Sequence, residues 1–469
     1  MPVRTLETDY LVVGCGASGM AFADALIAAS DSQLVMVDRR HAPGGHWNDA
    51  YPFVRLHQPS LMYGVNSTPL GTDAVDREGP NKGFYDRSSG TEIVAYYDRV
   101  MRDRLLASGR VRFFPMSDHA GGGSFVSRLT GDAYEVKVRR SVVDATYLEG
   151  KVPATTPPPF EVAPGARCVP VGELVHLAGR AERYVIVGGG KTGIDACLWL
   201  LENNVPPSSI RWIRPREIWL LNRVYFQGGE LVGTAYEGLS LQAEAAAKAE
   251  SLDDLFARLA ASEQVLRIDE RVVPTMYRGA TVSADELAQL RRVEDVVRLG
   301  HVRRIERDRI VLEGGTVPTS PATLHLHCAA AGLSNAPTVP VFADGRITLQ
   351  ALQPGFLPFS AAFTAFVEAT RGDAAGKNRL CPPVRLQNVP RDWAIGTLAA
   401  TQTAYLWSQQ PDVQQWLEGA RLWWLRGLRQ YFGEPRVQQA HKRYTENVRP
   451  AAANLARLLS ASTASPRAG

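Results

Sequence analysis

The chain has 469 residues, 45% of them hydrophobic and 21% charged, with a formal net charge of +4. That length exceeds one ordinary core and implies two or three domains of ordinary globular composition. No run of Lys and Arg suggests nucleic-acid binding, and no apolar stretch reaches the roughly eighteen residues of a membrane span. The first strand starts within ten residues of Met1, which leaves no room for a signal peptide, so a cytoplasmic protein is expected. Cys15, Cys168, Cys197, Cys328 and Cys381 are far apart and include no CxxC pair. Neither a disulfide framework nor a zinc site is expected, and a disulfide reductase is disfavoured.

Thr8 to Asp38 is the most informative stretch. Tyr10-Leu11-Val12-Val13 reads as a strand, and Gly14-Cys15-Gly16-Ala17-Ser18-Gly19 follows it. Met20 to Ala29 reads as a helix, and the strand Leu34 to Val37 stops at Asp38, nineteen residues after Gly19. This is the spacing of a dinucleotide-binding β-α-β unit. Gly14 permits the tight turn, Gly16 lets the backbone approach a pyrophosphate, and Gly19 lets helix and strand pack closely. Free N–H groups at Ala17 and Ser18 face the phosphates, and Asp38, followed by Arg39, accepts from ribose hydroxyls.

The next segment reads Gly44-Gly45-His46-Trp47, then Tyr51-Pro52-Phe53-Val54-Arg55-Leu56-His57-Gln58-Pro59-Ser60-Leu61-Met62-Tyr63. It resembles the class B flavin monooxygenases, the group of Baeyer–Villiger and flavin-containing monooxygenases. Those enzymes carry Gly-Gly-Thr-Trp after the ribose-binding acid, and the Baeyer–Villiger branch continues Tyr-Pro-Gly-Ala-Arg-Cys-Asp-x-x-Ser-x-x-Tyr. The chain keeps Gly44, Gly45, Trp47, Tyr51, Pro52, Arg55, Ser60 and Tyr63 in register, and among its departures are His46, where the family has Thr, and His57, where it has Asp. The resemblance implies that Gly45, His46, Trp47, His57 and Gln58 lie close to bound FAD; the plainer reading is a glycine turn pinned by a buried Trp. A histidine at position 57, with a reference pKa of about 6.5, is able to donate a hydrogen bond or to shuttle a proton. Arg55 shares its face if the segment is a strand; otherwise it anchors the loop.

Thr91 to Leu106 has a helical period, Ser124 to Leu129 and Tyr134 to Val138 read as a hairpin, and Val142 to Thr146 as a closing strand. A stiff proline-rich linker covers Val152 to Pro164. Gly172 to His176 matches the GxxxH part of the family's fingerprint, with Pro170 and Arg180 replacing its flanking aromatics.

A second dinucleotide turn begins at Tyr184 to Val187 and continues Gly188-Gly189-Gly190-Lys191-Thr192-Gly193 before the helix Ile194 to Leu201. A P-loop is excluded, because Val185 stands where that motif needs its first glycine. The residues that replace the ribose acid are Trp212, Ile213 or Arg214, none a carboxylate, while Arg211, Arg214 and Arg216 cluster there. An arginine clamps a 2′-phosphate that an acid would repel, so the second nucleotide is read as NADPH. Arg214 carries most of that reading, Arg216 being alternatively a surface charge.

The expected fold class is α/β, with two Rossmann-like dinucleotide-binding domains and a helical C-terminal region. Residues 1–165 form the first part of an FAD domain, and 166–325 an NADPH domain with a helical insertion at 217–300. Residues 326–469 complete the FAD domain. Helices are expected at about 252–262, 284–292, 358–370, 394–408, 411–431 and 435–460, with Ser460 to Gly469 disordered. The segment Ala331-Gly332 resembles the turn that returns the chain to the flavin. Trp416 to Arg429 has the composition of a membrane-surface helix, although packing on its own domain is the preferred reading. The resemblance implies an NADPH-dependent FAD monooxygenase that inserts one oxygen atom from O2 into a small organic substrate through a flavin C4a-(hydro)peroxide. The alternatives are a flavin dehydrogenase or oxidase without oxygen transfer, and a non-catalytic nucleotide-binding flavoprotein.

Overall fold

The computed structural model describes residues 3–461. Its first sheet is organised around the strand Arg4–Val13, in which Tyr10, Leu11 and Val12 are wholly buried. Leu34–Val37 and the long strand Ala133–Asp144 flank it in parallel, and Val111–Phe114 and Arg346–Thr348 extend the sheet on either side. Apolar side chains on both faces of these strands demand cover on both faces. The helices Ala17–Ala29 and Leu357–Thr370 pack together on one side, where Phe22, Phe359 and Phe363 are buried. On the other side Phe125 and Val136, on the paired strands Ser124–Ser127 and Ala133–Asp144, close over Leu11 and Val35. The preceding strand Ser117–Gly121 is one that the sequence pattern does not announce, being largely polar.

The second sheet is wholly parallel, in the order Asp295–Val297, Ile210–Ile213, Arg183–Val187, Thr323–His327 and Cys168–Pro170 among the described residues. Helix Lys191–Glu202 follows the second glycine turn. Both connections between the sheets run side by side: Gly150–Lys151, leaving the first, pairs antiparallel with Gly332–Leu333, returning to it. The strand Thr323–His327 straddles the expected boundary at 325/326.

The 217–300 segment is less helical than its sequence suggests. It does hold helices Val232–Lys248, Leu252–Ala261 and Ala284–Arg291, the last two opened by Ser251 and Ser283 as their side chains predict. Yet Ile218–Asn222, Val265–Leu266 and Met276–Val282 form a small sheet of their own, and Asp295–Val297 belongs to the second sheet. The insertion therefore closes before residue 295.

The expected helix at 411–431 is broken. Pro411–Gly419 is helical, after which the chain turns and only Leu428–Tyr431 regains a short 3-10 turn. The helix stops at Gly419, Gly427 turns with φ +80°, and between them the Arg421 guanidinium points inward and donates to the carbonyls of Leu61, Tyr63 and Val65. Trp416 and Trp423 pack on Phe359, so this stretch lies against its own protein. No described helix is long and apolar enough to cross a membrane. Helix Pro435–Ala461 includes Ser460 and Ala461; the remainder of the expected disordered tail, 462–469, lies outside the described residues.

Candidate functional site

A cleft of about 720 Å³ runs from the first glycine turn to the second, between the two sheets, a volume in the range of cofactor sites. Gly14 adopts φ +96°, and a β-carbon on Gly19 would stand 2.0 Å from the Gly14 carbonyl oxygen, so both positions require glycine. Gly16 precedes helix Ala17–Ala29 with no side-chain cap, which leaves the N–H groups of the first turn free beside the cleft-lining Ala17 and Ser18. Asp38 lines the same end. Its two carboxylate oxygens accept from the Cys15 N–H at 2.6 Å and the Arg40 N–H at 2.8 Å. Arg39 and Arg40 extend this rim, paired with Glu149 and Asp49.

The Gly44-Gly45 turn lies against the first glycine turn. The Gly44 N–H donates to the Cys15 carbonyl at 2.8 Å, and Gly45 has φ +58°. Beyond it His46 stacks on Trp47 at 5.1 Å, and the Trp47 indole N–H donates to the Tyr63 hydroxyl at 2.8 Å. Burial and the nearby Arg40 charge lower the His46 pKa to about 4, so the ring is neutral at physiological pH. Gln58 also lines the cleft, as does the start of helix Leu357–Thr370, again without a side-chain cap. That helix is legible in the sequence, but its place at the cleft is not.

At the far end stands His57, partly open to the cleft. Its Nδ1 accepts from the Thr281 backbone N–H at 3.2 Å. Burial, then the charges of Lys191, Arg223 and Arg87, hold its pKa well below the usual histidine value. Burial and these cations therefore favour the neutral imidazole. Arg55 does not share a regular strand with it. Position 55 makes an isolated bridge with Ser89, and the exposed guanidinium donates to the Arg87 carbonyl at 3.0 Å, which is an anchoring contact. Lys191 and Thr192 reach this end from the second glycine turn. Lys191 is ion-paired with Asp195, whose carboxylate accepts from the Tyr51 hydroxyl at 2.6 Å, and Phe53 stacks on Trp199 at 4.9 Å. These contacts join the segment after the first turn to the helix after the second. The Lys191–Asp195 pair, at i and i+4 on a helix, was open to sequence reading and missed.

The second turn has the same construction as the first. Gly188 has φ +134°, and a β-carbon on Gly193 would stand 2.2 Å from the Gly188 carbonyl oxygen, while Gly190 faces open space. Trp212, in place of the ribose acid, donates its indole N–H to the Gly188 carbonyl at 2.8 Å. Arg214 is only 2% exposed, lying over the Trp212 ring at 4.7 Å with Nη1 3.3 Å from Glu217. Its Nε has no hydrogen-bond partner among the described residues, and the stem of the side chain lies beside Gly189 of the second turn. Arg216 is partly exposed and has no side-chain hydrogen bond or ion pair among the described residues. The second cation beside it is Arg278, whose pKa is lowered by burial and then by Arg216. Arg278 comes from the insertion and donates to the Ala331 carbonyl at 3.1 Å, on the return segment whose Gly332 lines the cleft. No sequence motif marks Arg278 or Thr281.

No family model matches the chain. Uncharacterized proteins of Mycobacterium tuberculosis (strain H37Rv) and Mycobacterium bovis are each 47% identical to it over 466 residues, covering 99% of this chain and 86% of theirs. The chain belongs to their family. Among solved structures, open cyclohexanone monooxygenase superposes with a TM-score of 0.50 at 12% identity, over 95% of this chain and 99% of that one. The polycyclic ketone monooxygenase of Thermothelomyces thermophila does so with a TM-score of 0.50 at 13% identity, over 99% of this chain and 89% of that one. The chain thus has the fold of the class B flavin monooxygenases, an α/β fold with two Rossmann-like units and C-terminal helices.

Proposed function

We propose that the protein is an FAD- and NADPH-dependent monooxygenase that transfers one oxygen atom from O2 to a small organic molecule. The observation that carries this reading is that one cleft joins the two glycine turns, ending at Gly16 and Asp38 on one side and at Lys191 and Thr192 on the other. The residues present fit FAD. Gly16 and Gly45 let the two turns lie backbone to backbone at the cleft, Asp38 is fixed at the ribose end, and uncapped helix N-termini offer N–H groups to phosphate and to the flavin.

FAD bound there and reduced by NADPH supplies the electrons that activate O2. The chain's own part is placement and exclusion of water. Arg216 and Arg278 hold the NADPH phosphate beside the second turn, in place of the buried Arg214. The Tyr51–Asp195 and Phe53–Trp199 contacts keep the second unit against the cleft. Lys191, Arg87 and Arg223 make the His57 end attractive to a negatively charged group, and neutral His57 presents a hydrogen-bond donor there.

The test is to mix protein, NADPH and air with a panel of ketones, sulfides and amines, and to follow NADPH, peroxide and products. Oxygenated product in proportion to NADPH consumed supports the reading. Peroxide alone makes the protein an oxidase, and no NADPH consumption by flavin-loaded protein makes it a non-catalytic flavoprotein.

A further inference from the structure

We propose that the 217–300 insertion carries a positioning device for His57: the Thr281 N–H, held by Arg223 and Glu286, fixes the imidazole as the tautomer whose Nε2–H faces the cleft. The inference rests on the reading of this cleft as the ligand site, but it concerns which hydrogen-bonding group the cleft presents.

The Thr281 N–H is a donor, so the Nδ1 atom that receives it at 3.2 Å must be bare. A neutral ring then carries its proton on Nε2. That atom has no protein partner and is not sealed within the protein, and His57 lines the cleft. The opposite tautomer would offer the cleft a lone pair in place of a donor, and it would set two N–H groups against each other at Thr281.

Thr281 is held firmly enough to impose this choice. Its strand pairs with Ile218–Asn222, with Thr281 opposite Leu221, and its carbonyl accepts from Arg223 Nη2 at 3.2 Å. Arg223, 1% exposed, grips Glu286 with Nη2 at 2.6 Å and Nη1 at 3.2 Å. The same carboxylate accepts from Arg87 Nη2 at 2.8 Å and from the Ser283 N–H at 2.9 Å. Arg223 Nη1 also donates to Asn81 Oδ1 at 3.0 Å. Asn81 and Arg87 belong to the first unit, while Arg223, Thr281 and Glu286 belong to the insertion, so the cluster clamps the two together behind His57. The charges around the imidazole are Lys191, Arg87 and Arg223, with Asp195 and Glu286 engaged by them. The three cations oppose a second proton on the ring.

The tautomer is read directly by long-range proton–nitrogen NMR on full-length, deuterated, flavin-loaded protein labelled with 15N-histidine, the His57 signals being assigned by their loss in His57→Gln. The expected pattern at pH 7 is one protonated nitrogen, Nε2, and one bare nitrogen, Nδ1. Arg223→Lys keeps the charge but loses the fork that holds the Thr281 carbonyl and Glu286, and Thr281→Pro removes the N–H. In both, the two nitrogen shifts should converge as the tautomers exchange. A wild-type ring protonated on Nδ1, or on both nitrogens, overturns the proposal. So does an Arg223→Lys protein of normal circular dichroism and flavin content with the wild-type pattern; if Thr281→Pro fails to fold, Arg223→Lys decides. Failure of oxygen transfer in the wild type would sink the proposed function and leave this result standing.

Discussion

Gly16 and Gly45 meet backbone to backbone: a β-carbon on Gly45 would stand 2.9 Å from the α-carbon of Gly16. Gly45 also has φ +58°, so Gly45→Ala adds a steric conflict to backbone strain. The two turns must separate to accept it, which removes the surface that FAD is proposed to lie on. The purified wild type should be yellow. Gly45→Ala and Gly16→Val should fold and elute colourless, read as the ratio of flavin to protein absorbance. Full flavin content in a folded Gly16→Val protein means that FAD does not approach this turn.

For the second nucleotide, Arg216 and Arg278 have no carboxylate partner among the described residues, Arg278 being held by Asn388 and the Ala331 carbonyl, while Arg214 lies buried over Trp212 and beside Glu217. Loss of a charge-assisted hydrogen bond costs on the order of 1.5–3 kcal/mol, or about ten- to a hundred-fold in affinity. Arg216→Ala should raise the Kd for NADPH by that factor and leave NADH nearly unchanged. Arg214→Ala should instead lower the melting temperature. Titration of both coenzymes against both variants checks this, and a selective NADPH loss in Arg214→Ala would return the phosphate to the buried arginine.

His57→Ala deletes a donor at the end of the cleft without touching either glycine turn. Anaerobic reduction of the flavin by NADPH should proceed near the wild-type rate. In air, peroxide released per NADPH should rise several-fold as oxygen transfer falls. Stopped-flow reduction and a peroxide assay separate the two. Slow reduction with normal coupling would move His57 to the nicotinamide.

His46 gives a pH dependence of stability. Its folded pKa, about 4, lies below the unfolded value of about 6.5. Between these values the unfolded state binds more protons, so stability rises with pH across that window. The contribution is fully present above about pH 6.5 and is lost as the pH falls toward 4, by at most about 3 kcal/mol. His46→Gln should therefore narrow the gap in urea midpoint between pH 7 and pH 5. An unchanged gap would show that the ring titrates normally.

The glycine turns were legible because their demands are local. A positive φ at Gly14 or a helix passing over a carbonyl at Gly19 is written in a few adjacent residues. The direction taken by an arginine at a strand end is a choice among partners that the strand pattern does not rank, even when they are near in sequence. Arg214 turned back over Trp212, because an aromatic face and Glu217 were there to receive it. The break near 420 was half visible: Gly419 and Gly427 are local stop signals, but the carbonyls that receive Arg421 lie 356 to 360 residues away along the chain. Thr281 acts through its peptide N–H, and no side-chain motif reports a backbone donor.

The pairing of Gly150–Lys151 with Gly332–Leu333 has a mechanical consequence. Two separate tethers would let the nucleotide unit slide as well as turn. Bonded edge to edge, the tethers behave as one flat ribbon, compliant to bending and stiff to shear, because sliding must first break the register of Lys151 with Gly332. The units are also joined away from the ribbon, by the Tyr51–Asp195 hydrogen bond and by Arg223 and Glu286 meeting Asn81 and Arg87, so any bend of the ribbon must also break these contacts.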